Sequence, residues 1–572
     1  MALFPVKNWI AAGGIFFLLS TGFASETVLR LTPTLEPLPV TGLPFLNEKV
    51  TEVYSPSDGL TVNPADGLGW TRTAASESAM TLQVTIDPSA FDHAIMTIWN
   101  WHNRPVRQVK LVADQLHRLT IEVEGGGAYL LTVDGYREGI CTHRLIRSVA
   151  WTEDLNPARD SWRRDEFLLG VCGFPGRYHW SFRGGPTLPP HLNEAAAREL
   201  EADLLARLGF QAIRVDESME MGLRSGEGDG NYLFDFERMD AVVKAYTSRG
   251  FKLAFQLMNP PDWAIADSYR DEEAQLWTFP RKVVHVQAHA ASLLERYGEH
   301  VRFVQVYNEP DQVAFWGGTP EEFLTHFDAV DGVRRHLLPN TPVVNGGYSL
   351  VDEDRTRFYV EHLKGKIEYP AYHSHGTLKE LREDHETIQS MHEAAGYDSP
   401  RFLNTEMGFD GWRLDQERRK GQIVPQKTLY CWASGHAGVL LFGGRMTIGP
   451  EQVTQDFGFL DFQFCPRFVY GSMAALVSSL AGASFEKTLV DDGETYAYLF
   501  RRGEEKIVAA FTLDDEGREI GWESDAGVVM TIDEMGNRTP AGKSGRLMLD
   551  GYPRYLLVED PKNLDLTLAG IE

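Results

Sequence analysis

Arg302-Phe-Val-Gln-Val-Tyr-Asn-Glu-Pro310 begins as a short β-branched and apolar run and ends in a polar tripeptide closed by proline. Ten residues on, Pro320–Leu337 has helical period, so this stretch reads as a strand, a loop and a helix. The same unit recurs on both sides. Candidate strands are Phe167-Leu-Leu-Gly-Val-Cys172, Gln211-Ala-Ile-Arg-Val215, Lys252-Leu-Ala-Phe-Gln-Leu257, Arg302–Val306, Pro342-Val-Val-Asn345, Ile367-Glu-Tyr-Pro-Ala371, Arg401-Phe-Leu-Asn404 and Gly438-Val-Leu-Leu-Phe442. Amphipathic stretches fall between them, among them Leu192–Leu208, Phe236–Ser248 and Leu378–Ala395. Eight alternating βα units predict an α/β fold, a (β/α)₈ TIM barrel, over residues 165–482.

The flanks have a different rhythm. From 26 to 164 the chain shows short alternating runs such as Met80–Ile86 and Ala128–Val133, punctuated by Gly, Pro and Asp, which predicts an N-terminal β-sandwich. Its end is marked by the polar segment Asn156–Asp165. After a last helix at Phe468–Leu480, strands such as Tyr496–Phe500 and Lys506–Phe511 predict a smaller C-terminal β-sandwich over 483–572. Lys7, the apolar stretch Trp9–Leu19 and the small residues near Ala24 read as a signal peptide over 1–25, hence an exported protein, periplasmic or secreted, with no membrane attachment after cleavage. That apolar stretch is short for a bilayer span of about 20 residues.

The 572 residues carry 55 Lys and Arg against 81 Asp and Glu, a net charge of −26 with no basic run, which argues against nucleic acid as a partner. Cys141, Cys172, Cys431 and Cys465 are spaced for neither a zinc site nor a dense disulfide framework, although an oxidising compartment allows one bridge.

Catalytic residues of such barrels sit where strands end. Two glutamates satisfy that placement: Glu309 after the fourth strand and Glu406 after the seventh. They meet only if the barrel closes. Facing carboxyls suit glycosidic bond cleavage, because one must donate a proton to the leaving oxygen while the other, ionised, attacks the sugar. Each raises its neighbour's pKa when it is charged, which lets the two differ in protonation.

These residues resemble clan A of the glycoside hydrolases, most closely family 39 and its relatives. The similarity lies in Asn308-Glu309-Pro310, Glu406, Arg214, Pro260-Pro-Asp-Trp263, His373-Ser-His375, Phe457-Gly-Phe-Leu-Asp461 and the later Ile532–Asn537 and Tyr552–Tyr555. It covers the barrel and the C-terminal region. It implies a retaining O-glycosidase acting on oligo- or polysaccharide without a cofactor, with Glu309 as acid/base, Glu406 as nucleophile, Asn308 on the sugar 2-hydroxyl and Arg214 beneath the nucleophile. His373 matches a histidine of the sixth strand. His375 stands where the clan places a tyrosine, and Phe442-Gly-Gly-Arg445 lacks the tryptophan expected after the eighth strand. Trp180, Trp263, Trp316 and Trp412 fall in proposed βα loops and are candidate sugar platforms, or core filler. Two other readings remain: a carbohydrate-binding barrel without chemistry, and a metal-dependent hydrolase using His373 and His375, whose alternate strand positions share a face.

Overall fold

The structure is a computed structural model that describes residues 25–32, 51–53, 59–65, 69–74, 77–113, 115–156, 166–173, 175, 178, 188–189, 192–216, 222–227, 231–258, 260–269, 278–411, 414–445, 456–525, 529–558 and 564–568. Eight parallel strands form the central sheet: β1 (Leu168–Cys172), β2 (Ala212–Asp216), β3 (Lys252–Leu257), β4 (Val301–Val306), β5 (Val343–Val344), β6 (Ala371–Ser374), β7 (Leu403–Met407) and β8 (Gly438–Phe442). Their order, β5-β4-β3-β2-β1-β8-β7-β6, is that of a barrel opened between β5 and β6. The seam closes through one bridge, Tyr348 to Tyr372. Beside it the Asn345 side chain takes the place of a strand, accepting from Ala371 N–H (2.6 Å) and donating to Ala371 C=O (2.8 Å).

Among the described residues the α-helices are α1 (Glu194–Ala206), α2 (Glu237–Thr247), α3 (Val283–Tyr297), α4 (Pro320–Leu337), α5 (Glu353–His362), α6 (Leu378–Ala394), α7 (Leu414–Ala433) and α8 (Phe468–Leu480). α4 and α6 start on capping boxes, Thr319 with Glu322 and Thr377 with Glu380, and α4 adds Pro320 in its first turn. These caps fix where each helix begins. Among the described residues, no helix is long and apolar enough to cross a membrane.

Two further pairs of sheets flank the barrel. On the N-terminal side, a four-stranded sheet (25–31, 116–123, 79–86, 60–64) faces a second sheet built on the long strands Gly127–Arg137 and Ile140–Thr152. On the C-terminal side, a six-stranded sheet running from Ser484 to Val558 faces a three-stranded one made of 518–524, 544–549 and 564–568. The fold is thus a TIM barrel between two β-sandwiches. One continuous apolar core joins the barrel to both, and it includes Trp101, Tyr129, Tyr470, Met535 and Tyr552. None of the four cysteines is in a disulfide.

Two strand predictions differ from the structure. The sixth strand starts at Ala371 rather than ending there, and the seventh extends to Met407, with Glu406 inside it. Apolar runs mark a barrel strand only where its surroundings are apolar, and these strands end among polar groups.

Candidate active site

Beyond Val306 the chain leaves the ladder under strain. Tyr307 N–H still donates to Leu257 C=O of β3 (2.8 Å), yet Tyr307 and Glu309 take φ of 74° and 42°, a region that residues with a Cβ rarely enter. Such conformations cost about 1–3 kcal/mol each and gather at functional sites, where the surrounding structure holds them. Here Glu309 N–H donates to Gly346 C=O (3.0 Å), and the Gln312 amide donates to Glu309 Oε2 (2.7 Å). The Asp311 carboxylate accepts from Ser349 N–H and hydroxyl (3.1 and 3.0 Å) and from Leu350 N–H (2.8 Å), tying this turn to the loop after β5. Burial pushes the Asp311 carboxyl up, while the Ser349 donors oppose it.

Glu406 owes its position to a bulge. Tyr372 pairs with Asn404 but His373 pairs with Glu406, so β7 carries one extra residue, Thr405, against β6, and its register against β8 is broken over the same residues. Bulges re-aim side chains beside active sites. Arg214, buried on β2, forms an ion pair with Glu406 Oε1 and donates to Thr405 C=O (3.3 Å). His375 Nε2 lies 3.4 Å from Glu406 Oε2, and His373 Nδ1 lies 3.7 Å from it. Burial by itself would raise the Glu406 pKa. The Arg214 guanidinium and the two imidazoles outweigh it and hold this carboxyl well below the usual range.

His373 stands between the two carboxylates. Its Nδ1 is 2.6 Å from Glu309 Oε1, and its Nε2 is 3.1 Å from Thr405 Oγ1. A proton on Nδ1 makes it the donor to Glu309. Its ring has room only because residue 347 is glycine: Gly347 has φ +74°, and a Cβ there would overlap His373 Nε2. Asn308 Oδ1 accepts from the Gln256 amide (2.9 Å), which also donates to Tyr307 C=O (3.1 Å).

One donor atom from each of Glu309, His373, His375 and Glu406 lies within 4.8 Å of the other three. The two carboxyls therefore face each other, with an oxygen of each within 4.8 Å of the other. Two imidazoles and two carboxylates also form a donor set that suits a zinc-like ion. Against that use, Glu406 is already held by Arg214, and Glu309 by His373 and Gln312.

Of the tryptophans, Trp316 is fully buried. Its ring packs on Tyr307, Phe323 and His326, and its Nε1 donates to Thr319 C=O, so it backs the strained turn and has no face for a sugar. Trp263 is half-buried, edge-on to His285, which also meets Tyr232 of the hairpin Gly222–Asp235. Trp180 and Trp412 lie outside the described residues, as does most of 174–191. At the end of β8, Phe442 and Phe457 pack on His375 with ring centroids 5.0 and 5.1 Å away, and Gly443 (φ +89°) lets the 456–461 segment approach. Arg445 turns inward to Glu201 and the rings of Tyr178 and Phe464.

Reading for strand-end acids finds Glu309 and Glu406 but misses Gln256, Gly347 and Thr405. Gln256 carries a usable signal, a lone amide in the apolar strand Lys252–Leu257.

No protein-family model matches this chain, and no curated protein matches it in sequence. Among solved structures it is similar to a family 39 glycoside hydrolase from the gut symbiont Bacteroides cellulosilyticus, at 17% identity over 87% of this chain and 100% of that one, with a TM-score of 0.61. It is also similar to a monomeric β-xylosidase from Caulobacter crescentus (14% identity, 70% of this chain, 97% of that one, TM-score 0.49). A family 39 enzyme from Xanthomonas axonopodis pv. citri gives 12% identity, 69% of this chain, 94% of that one and a TM-score of 0.49. The fold is shared with the first of these over its full length.

Proposed function

We propose that the protein is a retaining glycoside hydrolase that cleaves O-glycosidic bonds of oligo- or polysaccharides through a glycosyl-enzyme intermediate. One observation carries this reading: two buried carboxyls face each other within 4.8 Å, with Arg214 on one and an imidazole between them. Glu406, kept ionised by Arg214, attacks the anomeric carbon while Glu309 gives its proton to the departing oxygen. Water then attacks the same anomeric carbon, Glu309 takes its proton, and Glu406 leaves as carboxylate. His373 holds Glu309 through Nδ1 (2.6 Å) and stands 3.7 Å from Glu406, so it fixes the acid/base beside the nucleophile. Asn308, with its oxygen engaged by Gln256, offers its amide nitrogen to a sugar hydroxyl beside the reacting carbon. The stretch Trp9–Leu19, too short for a bilayer span, supports an exported enzyme.

A panel of aryl glycosides and polysaccharides tests this. Glu406→Ala should lose turnover by about 10⁴-fold or more while unfolding as the parent does, and azide should restore it, giving a glycosyl azide. Unchanged hydrolysis by that variant would end the nucleophile assignment. A rise in melting temperature with sugar but no product would indicate a binding protein, and loss of turnover on chelation would assign the four-donor cluster to a metal.

A further inference from the structure

Lys427 is buried in α7, and none of the steps above uses it. Its Nζ donates to three backbone carbonyls: Ser374 (2.9 Å), Gly376 (2.9 Å) and Gly408 (2.8 Å). The first two flank His375, and the third lies two residues beyond Glu406. Here β6 and β7 part company and their own ladder runs out, with Gly408 N–H to Ser374 C=O (3.3 Å) as a last link. An ammonium has three N–H groups, and the three carbonyls use all of them. A neutral amine has two, and its lone pair would face the third oxygen.

We propose that Lys427 is a positioning residue for the nucleophile: its ammonium clamps the carbonyls on either side of His375 and after Glu406, so the His375–Glu406 contact keeps its geometry only while Lys427 is charged. The inference rests on the glycosidase reading and adds to it a pH-sensitive hold on the site.

Burial, not the groups around it, leaves Lys427 prone to lose that charge. Glu380 and Asp384 approach from α6 and Cys431 from its own helix, and from the barrel side Lys427 meets only the backbone carbonyls of Ser374, Gly376 and Gly408. No carboxylate among the described residues is paired with it. Burial lowers the Lys427 pKa to about 7, against an upward pull from Cys431, Asp384 and Glu380. Burial also pushes the Cys431 thiol up to about 12, so Cys431 brings no charge near neutrality. The clamp therefore loosens as pH rises through neutrality.

Wild type, Lys427→Met and Lys427→Arg are compared on a dinitrophenyl glycoside, whose leaving group departs without a proton and so removes Glu309 from the pH profile of kcat/KM. Lys427→Met should lower kcat by about 10²-fold with KM held within about twofold, as misplacement of a reacting group does. Lys427→Arg should recover most of the rate and move the alkaline limb up by about one pH unit or more, because a guanidinium stays charged. A Lys427→Met enzyme with the parent's kcat and alkaline limb overturns the proposal. If wild type turns over no glycoside, the glycosidase reading fails separately, and crystal structures of wild type and Lys427→Met decide the clamp. Lengthening of the 3.4 Å His375–Glu406 contact beyond about 4 Å supports it, and an unchanged contact refutes it.

Discussion

Gly347 and Glu309 show two ways in which single residues shape this site. Glu309 takes a positive φ although it has a side chain, and the turn that holds it is braced by Gly346, Gln312, Asp311 and buried Trp316. Gly347 takes one because His373 fills the space where a Cβ would be. Gly347→Ala should therefore destabilise the fold by about 1–3 kcal/mol, from overpacking and from strain at φ +74°. It should also cut turnover by more than that loss explains, since His373 must move off Glu309. Urea denaturation alongside kcat on an aryl glycoside separates the two effects, and a fully active Gly347→Ala enzyme would show that the His373 position is not needed. Glu309 and Glu406 were legible in the sequence because each is an acid that follows a short apolar strand run, and Arg214 was legible through the resemblance. Gly347 and Lys427 were not, because a glycine in a loop and a lysine in a helix look ordinary until their neighbours across the barrel are known. Trp316 misled for the related reason that a loop position does not make a residue exposed.

Among the strands, the four whose apolar run covers nearly the whole element, β1, β3, β4 and β8, fall within one residue of their predicted bounds. β6 and β7 do not, and the cause is functional. Their C-terminal halves carry the polar residues His373, Ser374, Thr405 and Glu406, and a bulge at Thr405 breaks the regular alternation. The β5–β6 seam is another place where pattern gives no warning. β5 is two residues long, and the Asn345 amide stands in for the missing ladder by satisfying both polar groups of Ala371. Asn345→Ala leaves the Ala371 N–H without a partner, which should cost about 1–3 kcal/mol, while Ala371 C=O keeps the Tyr348 N–H (3.1 Å). Asn345→Asp should recover only the bond from Ala371 N–H. Chemical denaturation of the two variants, with hydrogen exchange at Ala371, measures this, and a wild-type midpoint for Asn345→Ala would mean that the seam closes by other contacts.

At the scale of the whole molecule, the two sandwiches are not appendages of the barrel, because they meet each other through a buried carboxylate. Glu534 of the C-terminal region accepts from Trp101 Nε1 (2.7 Å), lies 2.8 Å from His102 Nε2 and pairs with Arg554 (3.0 Å). Nearby, the Tyr552 hydroxyl donates to Trp101 C=O (2.8 Å), and Asn537 Oδ1 accepts from Gly126 N–H (2.8 Å). The sequence suggested this C-terminal segment only through resemblance, since an acid in a turn has no partner until the N-terminal strands are placed beside it. Burial would raise the Glu534 pKa, but the hydrogen bond to His102 and the Arg554 charge hold it below the ordinary carboxylate range. A carboxyl depressed in the folded state contributes stability that is complete above its unfolded pKa, about 4.3, and is lost as pH falls from there through the folded value. Glu406, also depressed, behaves the same way, so the contribution of these two carboxyls should be lost on acidification below about pH 4.3. Glu534→Gln keeps the shape but not the charge. It should cost about 1.5–3 kcal/mol at neutral pH, the range for a hydrogen bond to a charged group, and the loss relative to wild type should shrink as pH falls through that window. Denaturation midpoints of both proteins from pH 7 down to pH 3 decide it, and parallel curves would remove Glu534 as a source of acid sensitivity.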